Sequence, residues 1–180
     1  LELGLTETRA TALGALRIVD AANEWIYSRL DRDNTIWIQT SDNGGDPNQG
    51  ASNYPLRGGK GSGWQGGAQV PCFVWLGANL RGSLKEYEGL VYVTDWVPTI
   101  IGGALGAPEA LPDDLYGQDL WESLRGNSAK AREDILLMAS YGTGDEAGEA
   151  LVSLRTDRYK VTIGQAPCAV GTPAGAYAGC

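Results

Sequence analysis

The sequence predicts an α/β fold with a mostly parallel sheet, giving way to a small antiparallel sheet near its end. Three observations predict it. A long stretch with helical apolar spacing leads into a short β-branched strand, that strand stops at a glycine-rich loop, and a second apolar strand follows. Later, three short segments separated by polar turns read as a sheet of their own.

Each element has its own signal. From Thr6, "TETRATALGALRIVDAANEWIYSRLDRDN" carries apolar residues at Leu13, Leu16, Val19, Ala22, Ile26 and Leu30. That spacing predicts an amphipathic helix laid on a flat surface, capped by Thr6 or Thr8 and ended by "DRDN". "TIWIQT" has the composition of a short buried strand, and "VPCFVWL" that of a second one. In parallel sheets the ligand site lies beyond the carboxyl ends of strands, where Asp42 and Asn43 stand. "LVYVTDWVPTIIGGALG" predicts an extended segment entering a helix, with Thr94 or Asp95 as cap and Pro98 tolerated in the first turn. Asp95 is read as a cap rather than a catalyst. "DLYGQDLWESLRG" predicts a turn and a short helix; "DILLMASY", "ALVSLRT" and "YKVTIG" predict three antiparallel strands. The closing "APCAVGTPAGAYAGC" is low in complexity and reads as a loop or frayed end.

Composition narrows the function classes. A length of 180 residues with 43% apolar content allows one domain with a core. Net charge is −8, the sequence pI is near 4.5 and the basic residues are scattered, which argues against a nucleic-acid or anionic-membrane surface. No run reaches the roughly 18 apolar residues of a membrane span. The first residue, Leu1, reads as a cut end, so the lack of a signal peptide says nothing about compartment. Histidine is absent, which excludes a Ser-His-Asp triad and a histidine-rich metal site within this chain. Cys72, Cys168 and Cys180 form neither a metal cluster nor a disulfide framework; Cys72 reads as a small buried apolar residue, and pairing of Cys168 with Cys180 is open.

Two stretches can carry chemistry. "SDNGG" is a turn by its Asn-Gly pair, or a divalent-cation site in which Asp42 gives a charged oxygen and Asn43 a neutral one. Two ligands do not complete a calcium shell of six to eight oxygens. In "PLRGGKGSGWQGG" the glycines make either a flexible surface loop or a close backbone approach to a ligand, and Lys60 is either a solvated charge or a point charge for an anion. The spacing is not that of a Walker loop. Arg57 and Trp64 are open to structural roles as an ion-pair partner and as packing. A cation and a lysine converging on a tetrahedral oxyanion would suit sulfate or phosphate ester hydrolysis.

The order of "NTIWIQTSDNGG", "NYPLRGGKGSGWQGGAQVPCFVW", "VYVTDWVPTIIGGALG" and "LYGQDLWESL" resembles the type I sulfatases, especially the arylsulfatase B-like enzymes. "REDILLMASY" and "LVSLRTDRYKVTIG" resemble that family's entry into its C-terminal lobe, so the resemblance runs to about Gly164 and covers the later part of a full sulfatase. It implies an alkaline-phosphatase-like α/β sandwich, with residues 1–125 the later part of the catalytic domain and 126–180 the start of a small C-terminal lobe. By the resemblance Asp42 and Asn43 match metal ligands, with calcium the usual ion, Asp42 lies beside the catalytic formylglycine, and Lys60 contacts the substrate's sulfate. The formylglycine would come from a C-x-P-x-R cysteine upstream, since Cys72 is followed by Phe-Val-Trp and Cys168 by Ala-Val-Gly. The family's two further metal-binding aspartates and its histidines are likewise unmatched, and Gln65 stands where it usually has glutamate. The implied function is metal-dependent hydrolysis of a sulfate ester on a small molecule or carbohydrate, in a secreted, lysosomal or periplasmic setting, with this chain inactive alone. The rivals are a phosphoester hydrolase of the same fold and a catalytically inactive sulfatase-like binding or structural protein. Oligomeric state is left open.

Overall fold

The computed structural model describes residues 6–83, 86–128, 131–141 and 150–164. The low-complexity tail, with Cys168 and Cys180, lies outside them. Residues 6–80 belong to one compact unit and Arg81–Gly164 form a second.

The first unit opens with α1 (Glu7–Tyr27), where the Arg9 N–H donates to Thr6 Oγ1 at 3.3 Å, so Thr6 is the cap. The helix stops at Tyr27, one turn short of "DRDN", with Ser28 as its C-cap. No residue of α1 is buried: Leu13, Leu16, Val19 and Ile26 are all exposed, so no described residue covers the apolar stripe. The ends of α1 are held instead. Arg9 Nη1 donates to Gly50 O at 3.1 Å, and Tyr27 packs edge-on against Trp75 with ring centroids 5.8 Å apart.

β1 (Ile36–Thr40) and β2 (Cys72–Leu76) pair antiparallel in register from Ile36 opposite Leu76 to Thr40 opposite Cys72. The expected parallel pairing is therefore corrected. A parallel pair needs a crossover of a dozen or more residues, usually carried by a helix, that returns the chain to the starting end. Between these strands the only α-helix is α2 (Gln65–Ala68), four residues long, and the loop delivers the chain back at the end where β1 finished. No residue of either strand is buried, Thr40, Cys72 and Phe73 being exposed and the rest half-buried, and Trp37 and Phe73 pack edge-to-face at 5.2 Å.

In the second unit, the helical run is continuous but changes pitch. Val93–Asp95 is 3-10, α3 (Trp96–Pro98) is α-helical, and Thr99–Ala104 widens to π, with Leu105 N–H donating to Ile100 O at 2.9 Å. α4 (Trp121–Arg125) ends at Gly126, whose φ of 82° supplies the left-handed stop. β3 (Asp134–Tyr141), β4 (Ala150–Thr156) and β5 (Lys160–Ile163) form the expected antiparallel meander, with a bulge between Leu136 and Met138. Among the described residues of this unit, Leu120, Trp121 and Ile135 are buried, as is Pro98.

Asp95 and Arg132 tie these elements together. The Asp95 carboxylate accepts from Tyr92 N–H at 2.7 Å and from Gln118 N–H at 2.9 Å; the N-cap of the run is therefore Tyr92, with Asp95 reaching back to it from the third helical position, rather than Thr94 or Asp95 as expected. Arg132 Nε donates to the same carboxylate at 2.8 Å, and Nη2 makes a second, shorter bond. Burial alone would lower the guanidinium's pKa; hydrogen bonds and charge from Asp95, then Tyr116, outweigh it and hold it above its ordinary value. Gly117 permits this arrangement, since any side chain there would collide with Thr94 O.

Candidate functional site

The end of β1 delivers a turn whose backbone is tightly bound. Ser41 Oγ donates to Asn43 O at 2.9 Å, and Gly44 N–H donates to Gly67 O at 2.9 Å. The Asn-Gly pair makes neither a type I′ nor a type II′ hairpin turn, both of which need positive φ at the first central residue: among the described residues no non-glycine residue has positive φ, nor do Gly44 and Gly45. Gly44 is required for a different reason. A side chain there would overlap Gly66 O, so the turn and the loop meet backbone to backbone. Asp42 is exposed and Asn43 half-exposed, and among the described residues neither side chain has a hydrogen-bond or ion-pair partner.

The glycine-rich loop is packed rather than loose. Gly44, Gly59, Gly66 and Gly67 are buried. Added side chains at Gly66 and Gly67 would strike Gly58 O and the carbonyls of Gly59 and Ser62, while Gly58 and Gly61 take φ values of 84° and 80°. Ser62, only 4% exposed, donates from Oγ to Gly59 O at 2.8 Å and pins the loop from inside. Arg57 stacks on Trp64, its guanidinium carbon 3.9 Å from the ring centroid, so the two serve each other as packing. Gln65 donates from Nε2 to Gln69 Oε1 at 2.6 Å along its own short helix.

Lys60 stands at the tip of this loop, between Gly59 and Gly61. Its backbone N–H donates to Gly45 O at 3.1 Å, two residues beyond Asn43. The fold thus brings the Lys60 backbone against the turn that carries Asp42 and Asn43. The Lys60 side chain is exposed and, among the described residues, has no partner.

A charged and a neutral oxygen at a rigid turn fit a hard cation such as calcium or magnesium. They do not complete its shell. No group of three or more His, Cys, Asp or Glu residues that could hold a metal occurs among the described residues. Cys72 is exposed at the start of β2, opposite Thr40, and not buried as its apolar neighbours predict, because it begins an open end of the strand pair. Partial desolvation still pushes its thiol up, opposed by a hydrogen bond with the Thr40 side chain. Sequence reasoning missed Asn53, whose side chain bridges the turn to the loop, and Ser62; an Asn or Ser within a glycine-rich run gives no signal of a non-local partner.

Comparison with known proteins extends the same picture. The family model described as Sulfatase matches residues 5–107. Arylsulfatase J of Mus musculus is 41% identical over 105 residues, which is 57% of this chain and 17% of that protein. Steryl-sulfatase of Mus musculus is 36% identical over 89 residues, 48% of this chain and 14% of its own length. The chain therefore spans less than a fifth of the curated relatives it matches. A solved structure, that of Ps i-CgsB in complex with k-i-k-neocarrahexaose, matches with a TM-score of 0.71 and 25% identity over 89% of this chain and 35% of that one. The shared architecture is the alkaline-phosphatase-like α/β fold.

Proposed function

This chain belongs to the sulfatase family, and from that premise we propose that it forms the later part of a sulfuric ester hydrolase, contributing two cation ligands and one sulfate-binding lysine. Residues 1–125 would be the later part of the catalytic domain and 126–180 the start of a C-terminal lobe. The observation that carries the reading is the 3.1 Å bond from Lys60 N–H to Gly45 O, which joins the lysine loop to the Asp42–Asn43 turn.

Asp42 and Asn43 would hold a divalent cation, calcium by family resemblance, which when bound supplies Lewis-acid neutralisation of sulfuryl oxygens. Lys60 contributes a compact, rotatable positive charge for the same tetrahedral anion as its ester S–O bond breaks. Both ligand side chains and the lysine lack partners within the described protein, so binding would not first have to break an internal ion pair. The sequence from Leu1 to Cys180 contains no C-x-P-x-R motif: Cys72 is followed by Phe-Val-Trp and Cys168 by Ala-Val-Gly. The chain alone would accordingly be inactive. The arylsulfatase and steryl-sulfatase relatives support a small sulfated substrate, and the neocarrahexaose complex of the structural match supports a sulfated carbohydrate.

The test is Asp42→Ala in the complete natural protein, assayed for bound metal and for turnover of an aryl sulfate and an aryl phosphate. Metal content and sulfatase turnover should fall together. Full turnover with the metal lost, or a wild-type enzyme that prefers the phosphate, would refute the reading.

A further inference from the structure

We infer that Asn53 is the positioning residue of this site, fixing Lys60 at its separation from Asp42 and Asn43; this rests on the ligand roles proposed above for those three residues. Asn53 is half-buried, and its side-chain amide makes three hydrogen bonds. Gly45 N–H donates to Asn53 Oδ1 at 2.8 Å, and Nδ2 donates back to Gly45 O at 2.8 Å, so one side chain satisfies both backbone groups of Gly45. Nδ2 also donates to Gly58 O at 3.2 Å.

The two anchored residues are informative by position. Gly45 lies two residues after Asn43, and Gly58 two residues before Lys60. The Gly45 carbonyl accepts from Asn53 and from Lys60 N–H at once, so the amide and the lysine backbone converge on one oxygen. A side chain at Gly59 would come within 2.9 Å of that oxygen and 3.2 Å of Asn53 Nδ2, so the loop already approaches as closely as glycine allows. Only a side chain with two N–H donors and an acceptor in one plane makes all three bonds, which asparagine has and aspartate lacks. Asn53 touches neither the proposed anion nor the proposed cation; it acts through backbone geometry.

The experiment uses the complete natural protein with Asn53→Ala and Asn53→Asp, each also combined with Lys60→Ala. Four quantities are read: aryl sulfate kcat and KM, the inhibition constant of inorganic sulfate, the dissociation constant of calcium alone by equilibrium dialysis, and the thermal midpoint. Supporting residues around metal sites typically cost about 10- to 100-fold in affinity or activity when removed. Each single variant should lose that much kcat/KM and weaken inorganic sulfate by a similar factor. In the Lys60→Ala background, Asn53→Ala should cost much less, because its effect runs through the lysine. Unchanged sulfate inhibition in folded variants, or full additivity with Lys60→Ala, overturns the inference. Failure of both variants to fold also overturns it, by making Asn53 a fold determinant. If Asp42→Ala and Lys60→Ala themselves leave turnover intact, the ligand reading fails instead.

Discussion

Replacing Arg132 with methionine strips the Asp95 carboxylate of its two guanidinium bonds while leaving Tyr92 N–H and Gln118 N–H in place. The anion then remains at 0% exposure with no opposing charge. Breaking a buried ion pair from one side costs about 3–5 kcal/mol, and two charge-assisted hydrogen bonds at roughly 1.5–3 kcal/mol each give about the same. With a urea dependence of about 2 kcal/mol per molar, the midpoint should fall by about 2 M. The assay is urea unfolding by circular dichroism together with amide exchange at Leu120, whose N–H is held by Thr99 Oγ1 at 2.9 Å inside the same unit. A control is Glu122→Gln, which neutralises the exposed partner of Arg125 and should cost under about 1 kcal/mol. A loss below about 1 kcal/mol in Arg132→Met, or unchanged Leu120 protection, would refute the claim that this pair organises the second unit.

Two further perturbations test the first unit. Gly44→Ala places a methyl group on Gly66 O, and the overpacking should cost about 1–3 kcal/mol and weaken calcium binding, read by thermal unfolding and dialysis; a neutral substitution would show that the turn and loop do not meet as described. In a chain with serine at positions 168 and 180, Cys72 should react with iodoacetamide more slowly at pH 7.5 than an unstructured peptide cysteine, despite its exposure. Its raised pKa leaves less thiolate there, and the rate should climb through the alkaline range. A rate equal to that of the peptide would contradict the desolvation.

Local signals translated well and non-local ones did not. β3, β4 and β5 were legible because each is a short apolar or β-branched run bounded by polar residues. The sequence marks Asp95 as an end-of-helix carboxylate but misplaces it: it stands at the third position of the run and reaches back to the Tyr92 N–H, so Tyr92 and not Thr94 or Asp95 is the N-cap. Arg132, 37 residues away from Asp95 between Ala131 and Glu133, carried no mark of being the residue that neutralises it. The direction of β2 was misjudged because a glycine-rich loop of 31 residues between strands looks long enough for a crossover, and only its fold shows that it doubles back. The apolar stripe of α1 was read correctly as a pattern, but a pattern names no partner, and the described residues supply none.

The site itself was legible in its chemistry and hidden in its mechanics. Asp42, Asn43 and Lys60 stand out as hard-oxygen and cationic groups among glycines, yet composition alone leaves those glycines equally suited to mobility and to close packing. The structure decides between the two: carbonyls of Gly58, Gly59, Ser62 and Gly66 occupy the space that side chains at Gly44, Gly66 and Gly67 would need. Rigidity is therefore concentrated in the backbone, while the Asp42 and Lys60 side chains have no partner among the described residues. A loop built only for stability would more economically neutralise its lysine with its aspartate. Holding the two charges on one braced backbone is what the roles proposed for them require, a cation bound by the aspartate and an anion by the lysine.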